Sequence, residues 1–203
     1  MRKTAVSLAL LTCLTFACSF KRWAYEGGNR DAWQQPERVI ATLALAPGQR
    51  VADLGSGTGY FTGRLARAVA PGGTVYAVDV DAGVQEELRE RMLEESVDNV
   101  ESVLADFDDT RLPDASVDLV FTVNTFHHLE DRPNYFRNLR RVLRSGGRVA
   151  VIDFDGRKGL FVTWTGHYTE RETLLGDMSS AGYRVAQDLD FLDRQSFIIF
   201  APK

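Results

Sequence analysis

The chain has 203 residues, 44% hydrophobic and 26% charged, enough to bury one core and too few for two. Its formal net charge of -4 excludes a general attraction to nucleic acid or anionic lipid, so a polyanionic partner would need a local basic patch. Both cysteines, Cys13 and Cys18, fall in the first eighteen residues, which excludes a disulfide framework, a thiolate metal site and a cysteine nucleophile from the remainder.

In chain order, the first element is a leader. Met1-Arg2-Lys3 is basic, and Thr4 to Ala17 is uncharged and rich in leucine and alanine. That run is short for a bilayer span and of the length of a secretory core. Ala17-Cys18-Ser19 resembles the processing and lipidation site of bacterial lipoproteins, with Thr15 and Phe16 standing where that pattern prefers leucine and a small residue. Simple cleavage after Ala17, or burial of the run as an N-terminal helix, are the alternatives. The expectation is a leader over 1–18 that exports the protein or anchors it through a lipidated Cys18, on the periplasmic side or at the outer membrane. A leader that does not function would leave the protein cytoplasmic.

Residues 19–34 read as a linker or flexible arm, and 35–203 as one folded domain. Pro36 opens an amphipathic stretch to Leu45, and Ala46-Pro47-Gly48 stops it. Apolar, β-rich runs follow at Arg50–Leu54, Thr74–Val80, Val100–Leu104, Val117–Val123 and Arg148–Phe154. Helical periodicity fills the gaps at Tyr60–Ala70, Gly83–Ser96 and Asn134–Leu143. Strands alternating with helices predict βαβ units and a parallel sheet, with near-continuous apolar strands because helices cover both faces. Thr169-Glu170-Arg171-Glu172 reads as a capping box opening a helix to about Ala181. Gly182 ends it, and the runs Tyr183–Leu189 and Ser196–Ala201 lie too close together for a helical crossover, so they pair antiparallel.

The junction of the first strand and first helix carries Asp53-Leu54-Gly55-Ser56-Gly57-Thr58-Gly59. Glycines there let the backbone approach a ligand, in the crevice at the strand ends where open α/β sheets bind. The spacing is G-x-G-x-G, one residue tighter than the dinucleotide fingerprint. Asp53 adds a carboxylate that would repel a pyrophosphate and suits a cationic ammonium group. Asp79-Val80 ends the second strand, where a carboxylate can accept from two ribose hydroxyls. Asp106-Phe107 follows the third strand, where an acid can accept from an adenine amino group beside a stacking ring. Each acid alone could equally cap a helix or a turn. Together they stand at successive strand ends.

VADLGSGTGYFT, VYAVDV, LADF, VDLVFTVNTFHHLED and LRSGGRVAVIDF resemble, in order, the motifs of class I S-adenosylmethionine (SAM)-dependent methyltransferases. The resemblance runs from about Val51 to Phe154, and the segment Gly166–Pro202 agrees with it. It implies a Rossmann-like seven-stranded sheet, mostly parallel with its last strand antiparallel and helices on both faces. It also implies SAM as cofactor, with cofactor-binding roles for Asp53, Gly55, Ser56, Gly57, Thr58, Gly59, Asp79, Val80, Asp106, Phe107 and Asn124.

Methyl transfer needs a positioned nucleophile and a dry site, and a general base only where the acceptor carries a proton of high pKa. His127 and His128, just past the fourth strand, are the candidates to remove that proton; packing of the turn is the alternative, and His127 is favoured. Asp153 and His167 are secondary candidates on the same rim. Trp23, Tyr25 and Trp33 serve either as a lid over the cofactor or as an arm packed on the surface. Phe161 and Trp164 serve either as an apolar substrate mouth or as packing. No metal-ligand cluster and no basic, aromatic-interleaved stripe for RNA or DNA is legible. The acceptor is therefore expected to be a small molecule. The alternatives are a regulatory protein that binds SAM without transfer and, against the glycine spacing, an NAD(P)-dependent oxidoreductase.

Overall fold

The computed structural model describes residues 29–158 and 167–203, so the expected leader, Trp23, Tyr25, Phe161 and Trp164 lie outside the described residues. Helices α1 (Arg30–Gln34) and α2 (Pro36–Leu43) precede the first strand. The sheet strands are β1 (Arg50–Leu54), β2 (Thr74–Asp79), β3 (Val100–Leu104), β4 (Val117–Val123), β5 (Leu143–Phe154), β6 (Tyr183–Leu189) and β7 (Gln195–Pro202). Helices α3 (Thr62–Val69), α4 (Ala82–Glu94), α5 (Arg132–Leu139) and α6 (Arg171–Ser180) connect them. None of the described helices is long and apolar enough to cross a membrane.

The strands form one sheet in the order β3-β2-β1-β4-β5-β7-β6. The pairs among β1 to β5 are parallel, and β7 lies antiparallel to both β5 and β6. The expected mixed seven-stranded sheet is therefore present. Side-chain alternation explains why its strands read as unbroken apolar runs: on β5, Val149 and Val151 enter the core beneath α5 and α6, while Ala150 and Ile152 face α2 and α3. On β7, Ile198 and Phe200 join the first core, and Phe197 and Ile199 the second.

Most boundaries shift by a few residues, and two of the differences have a physical reason. β5 begins at Leu143, which pairs with Val117 before the register jumps to Leu119 opposite Arg148. The extra residues bulge around Gly146 at φ 78°, so one strand absorbs a segment expected as helix end and loop. The capping box at Thr169 does not form. α6 starts one residue later, with Glu170 as N-cap and no side-chain cap bond. The Thr169 hydroxyl instead donates to Asp153 Oδ2 at 2.9 Å, because its buried position faces a fully buried carboxylate. By contrast, the Asp81 side chain does cap α4, accepting from the backbone N–H of Gly83 and Val84.

Candidate active site

The order of the strands places the connections after β1 and β4 on opposite sides, which opens a crevice at their carboxyl ends. A cleft of about 460 Å³ lies there, of the size that small-molecule sites have. Its walls carry Asp53, Gly55, Ser56, Gly57, Thr58, Asp79, Val80, Asp106, Phe107 and Asn124, so ten of the expected cofactor positions meet in one space. Gly59 is placed elsewhere: it sits against Leu88 and Met92 of α4.

Gly55 has φ 72°, and a Cβ there would lie 2.0 Å from Thr125 Oγ1, so the turn closes only without a side chain. The Gly57 N–H donates to Asp79 Oδ2 at 2.9 Å, tying the turn to the end of β2. Asp79 Oδ1 accepts from the Asp81 N–H at 3.1 Å. Each oxygen keeps a further lone pair toward the cleft. Asp106 is clamped by Arg111, whose Nε and Nη2 donate to its two oxygens at 2.7 Å each. Phe107 is 85% exposed and Val80 42%, so two apolar side chains stand in water on the rim beside Asp79 and Asp106. Such side chains are what a flat aromatic ligand would cover.

Asp53 is buried at the floor. Burial pushes its carboxyl up to about 7; the Thr62 hydroxyl, donating at 2.7 Å, opposes this, Asp79 reinforces it and Arg30 opposes it. The Ser56 Oγ is also buried, and no hydrogen-bond partner for it exists among the described residues. Ser56 lines the cleft, so its hydroxyl is open to a ligand there.

Sequence reasoning missed how the cleft is walled on the N-terminal side. α1 lies within the segment expected as a linker, yet Gln34 is fully buried. The Gln34 Nε2 donates to Gln195 Oε1 at 3.0 Å, and Gln195 Nε2 donates to Asn124 Oδ1 at 2.6 Å. This buried amide relay holds Asn124, at φ 56°, at the end of β4. Arg30 stacks its guanidinium 3.8 Å from the centre of the Tyr60 ring and lines the cleft. Trp33 stacks on Phe154 at 5.7 Å and stands outside the cleft walls, which is the packed-arm arrangement for that residue.

At the other corner, the turn Phe126–His128 brings both candidate histidines to the end of β4. His128 lines the cleft; His127 does not. The His127 Nδ1 lies 2.7 Å from Asp153 Oδ1, and Asp153, fully buried, also accepts from the Phe154 N–H at 3.0 Å and from Thr169. A carboxylate acceptor favours the proton on Nδ1 and leaves the lone pair on Nε2. Burial lowers the His128 pKa, and His127 and His167 push it the same way. His167 closes the group: its ring centre is 5.7 Å from those of His127 and His128, which are 4.0 Å from each other. The sequence showed no metal-ligand cluster; the fold brings these three imidazoles together. His167 is some forty residues along the chain from its neighbours, a separation that no spacing rule reads.

Comparison with known proteins decides what kind of fold this is. Residues 52–151 match the family described as "Methyltransferase domain". A SAM-dependent methyltransferase from Aquifex aeolicus superposes with a TM-score of 0.83 at 24% identity, over 90% of this chain and 97% of that one. This is a methyltransferase fold. Among curated proteins, a ubiquinone/menaquinone biosynthesis C-methyltransferase of Ectopseudomonas mendocina is 32% identical over 129 residues, 63% of this chain and 50% of the relative. An arsenite methyltransferase of Halobacterium salinarum is 35% identical over 113 residues, 56% of this chain and 29% of the relative. The chain therefore spans half or less of these relatives. The methyltransferase match covers the glycine turn, Asp79, Asp106, Asn124 and the histidine pair, and stops before Asp153 and His167.

Proposed function

We propose that the protein is a SAM-dependent methyltransferase acting on a small-molecule acceptor. The observation that carries this is the convergence of the glycine turn, three strand-end carboxylates and two exposed apolar side chains on one cleft. These residues fit the cofactor chemically. Asp53 suits its ammonium group, Asp79 its ribose, and Phe107 and Val80 the faces of its adenine, while the unpartnered Ser56 hydroxyl awaits a ligand acceptor. When bound, SAM supplies a methyl group on a sulfonium that departs as a neutral thioether and needs no acid. The protein's own task is to orient an acceptor and keep water out. The histidine corner beside Asn124 and Thr125 serves a protic acceptor, with His128 on the cleft wall and Asp153 holding His127 behind it with its lone pair on Nε2. A second part of the proposal concerns 1–18, whose basic start, apolar run and Ala17-Cys18-Ser19 support export or anchoring.

Calorimetric titration with SAM, S-adenosylhomocysteine and NADH tests the core of this reading. Binding of the two adenosyl-sulfur ligands and not of NADH is expected. A folded protein that binds none of the three would overturn it. With an acceptor in hand, His127→Ala should spare SAM binding and slow transfer, whereas a purely regulatory SAM-binding protein would show no transfer to slow.

A further inference from the structure

We infer that His127, His128 and His167 together bind one divalent transition-metal ion at the mouth of the cleft. These are all the histidines in the chain, and each offers one ring nitrogen within 4.8 Å of the others. A tetrahedral ion with metal–nitrogen bonds of about 2.0–2.1 Å needs ligand nitrogens roughly 3.3 Å apart. His128 and His167 are exposed at the rim, so rotation of their imidazoles can close that difference.

One feature separates this group from a chance gathering. His127 hydrogen-bonds the fully buried Asp153 through Nδ1, and Asp153 is itself held by Thr169 and the Phe154 N–H. A carboxylate behind an imidazole, itself hydrogen-bonded, is the outer support that fixes a metal-ligating nitrogen and raises its basicity.

The donor set selects the ion. Three neutral imidazoles without thiolate suit zinc and its borderline neighbours, and leave a fourth position open. His128 lines the cleft, so that position faces the space where an acceptor enters. An acceptor hydroxyl or thiol displaces the metal-bound water there; its O–H or S–H bond breaks heterolytically and the proton passes to solvent. The metal holds the resulting anion, as it holds hydroxide when it lowers the pKa of bound water. This use of the ion rests on the methyl-transfer reading; its binding does not.

The test uses the full chain without a polyhistidine tag, stripped with chelator and titrated with Zn²⁺ by calorimetry and with Co²⁺ by visible absorption. One ion per chain and the intense visible bands of four-coordinate cobalt are expected. His127→Ala, His128→Ala and His167→Gln should each weaken binding at least tenfold, and Asp153→Asn by roughly ten- to a hundredfold. His167→Gln changes an exposed side chain, so its melting temperature stays that of the apo parent and its loss of metal is not a loss of fold. No stoichiometric binding, or binding that survives all three histidine substitutions, would overturn the inference. SAM titration of the same samples separates the two proposals. Metal binding without SAM binding would sink the function and leave the site standing; SAM binding without metal would do the reverse.

Discussion

At the scale of single residues, the cleft is governed by carboxylates whose surroundings differ. Asp53 is the buried one, and its carboxyl is raised to about 7. A raised carboxyl binds its proton more tightly folded than unfolded, so its contribution to stability is complete below about pH 4 and is lost as pH rises through about 7. The ligand-free protein should therefore lose melting temperature between pH 5 and pH 8, and Asp53→Asn should flatten that slope. The affinity for SAM should move the other way, rising over the same window as the carboxylate forms to meet the ammonium. An affinity that ignores pH across that range would remove Asp53 from the ammonium contact. Asp79 already accepts two backbone N–H groups, so Asp79→Ala loses acceptors for the ligand and for Gly57 together. Hydrogen bonds to a charged partner are worth about 1.5–3 kcal/mol, so SAM should bind roughly ten- to a hundredfold more weakly by calorimetry.

At the scale of elements, the turn between β1 and α3 and the start of α6 set the geometry. Gly55→Ala forces a Cβ into the Thr125 side chain at a backbone angle that L-residues avoid. Strain of this kind costs about 1–3 kcal/mol, and in a chain of this size roughly 2–4 °C of melting temperature per kcal/mol. A thermal melt should show that fall together with weakened SAM binding, since Thr125 is a wall of the cleft. The glycine turn was legible from the sequence because three glycines in five residues mark a tight turn whose backbone takes positive φ, as Gly55, Gly57 and Gly59 do. The failed capping box was not: Ser/Thr followed by Glu is a local pattern, and Thr169 found a buried acceptor on β5 that local reasoning cannot see.

At the scale of the molecule, two cores on either face of the sheet stabilise the fold. Phe121 of β4 is fully buried and packs edge-on against Phe61 at 5.1 Å. Phe121→Ala should cost about 3–5 kcal/mol in denaturant unfolding, with the denaturant slope unchanged. The amide relay Gln34–Gln195–Asn124 couples α1, β7 and the end of β4, elements separated by most of the chain. For the proposed leader, Cys18→Ser should move the protein out of the membrane fraction when expressed in a bacterium. Equal fractionation of both forms would remove the lipid anchor.

What the sequence determined by itself was what depends on local spacing. Strand and helix order follow from apolar periodicity, the antiparallel last strand from a connection too short for a crossover, and the proposed cofactor positions from motifs at strand ends. Seven strands were placed with small boundary changes for that reason. Only the tertiary structure decided which residues across long separations meet. It turned Gly59 to α4, buried Gln34 and Gln195, set Asp153 behind His127, and brought His167 to the histidine pair. Those contacts are made by packing the sheet's edge and its connections together, and a hydrogen bond between residues far apart in the chain leaves no periodic trace in the sequence.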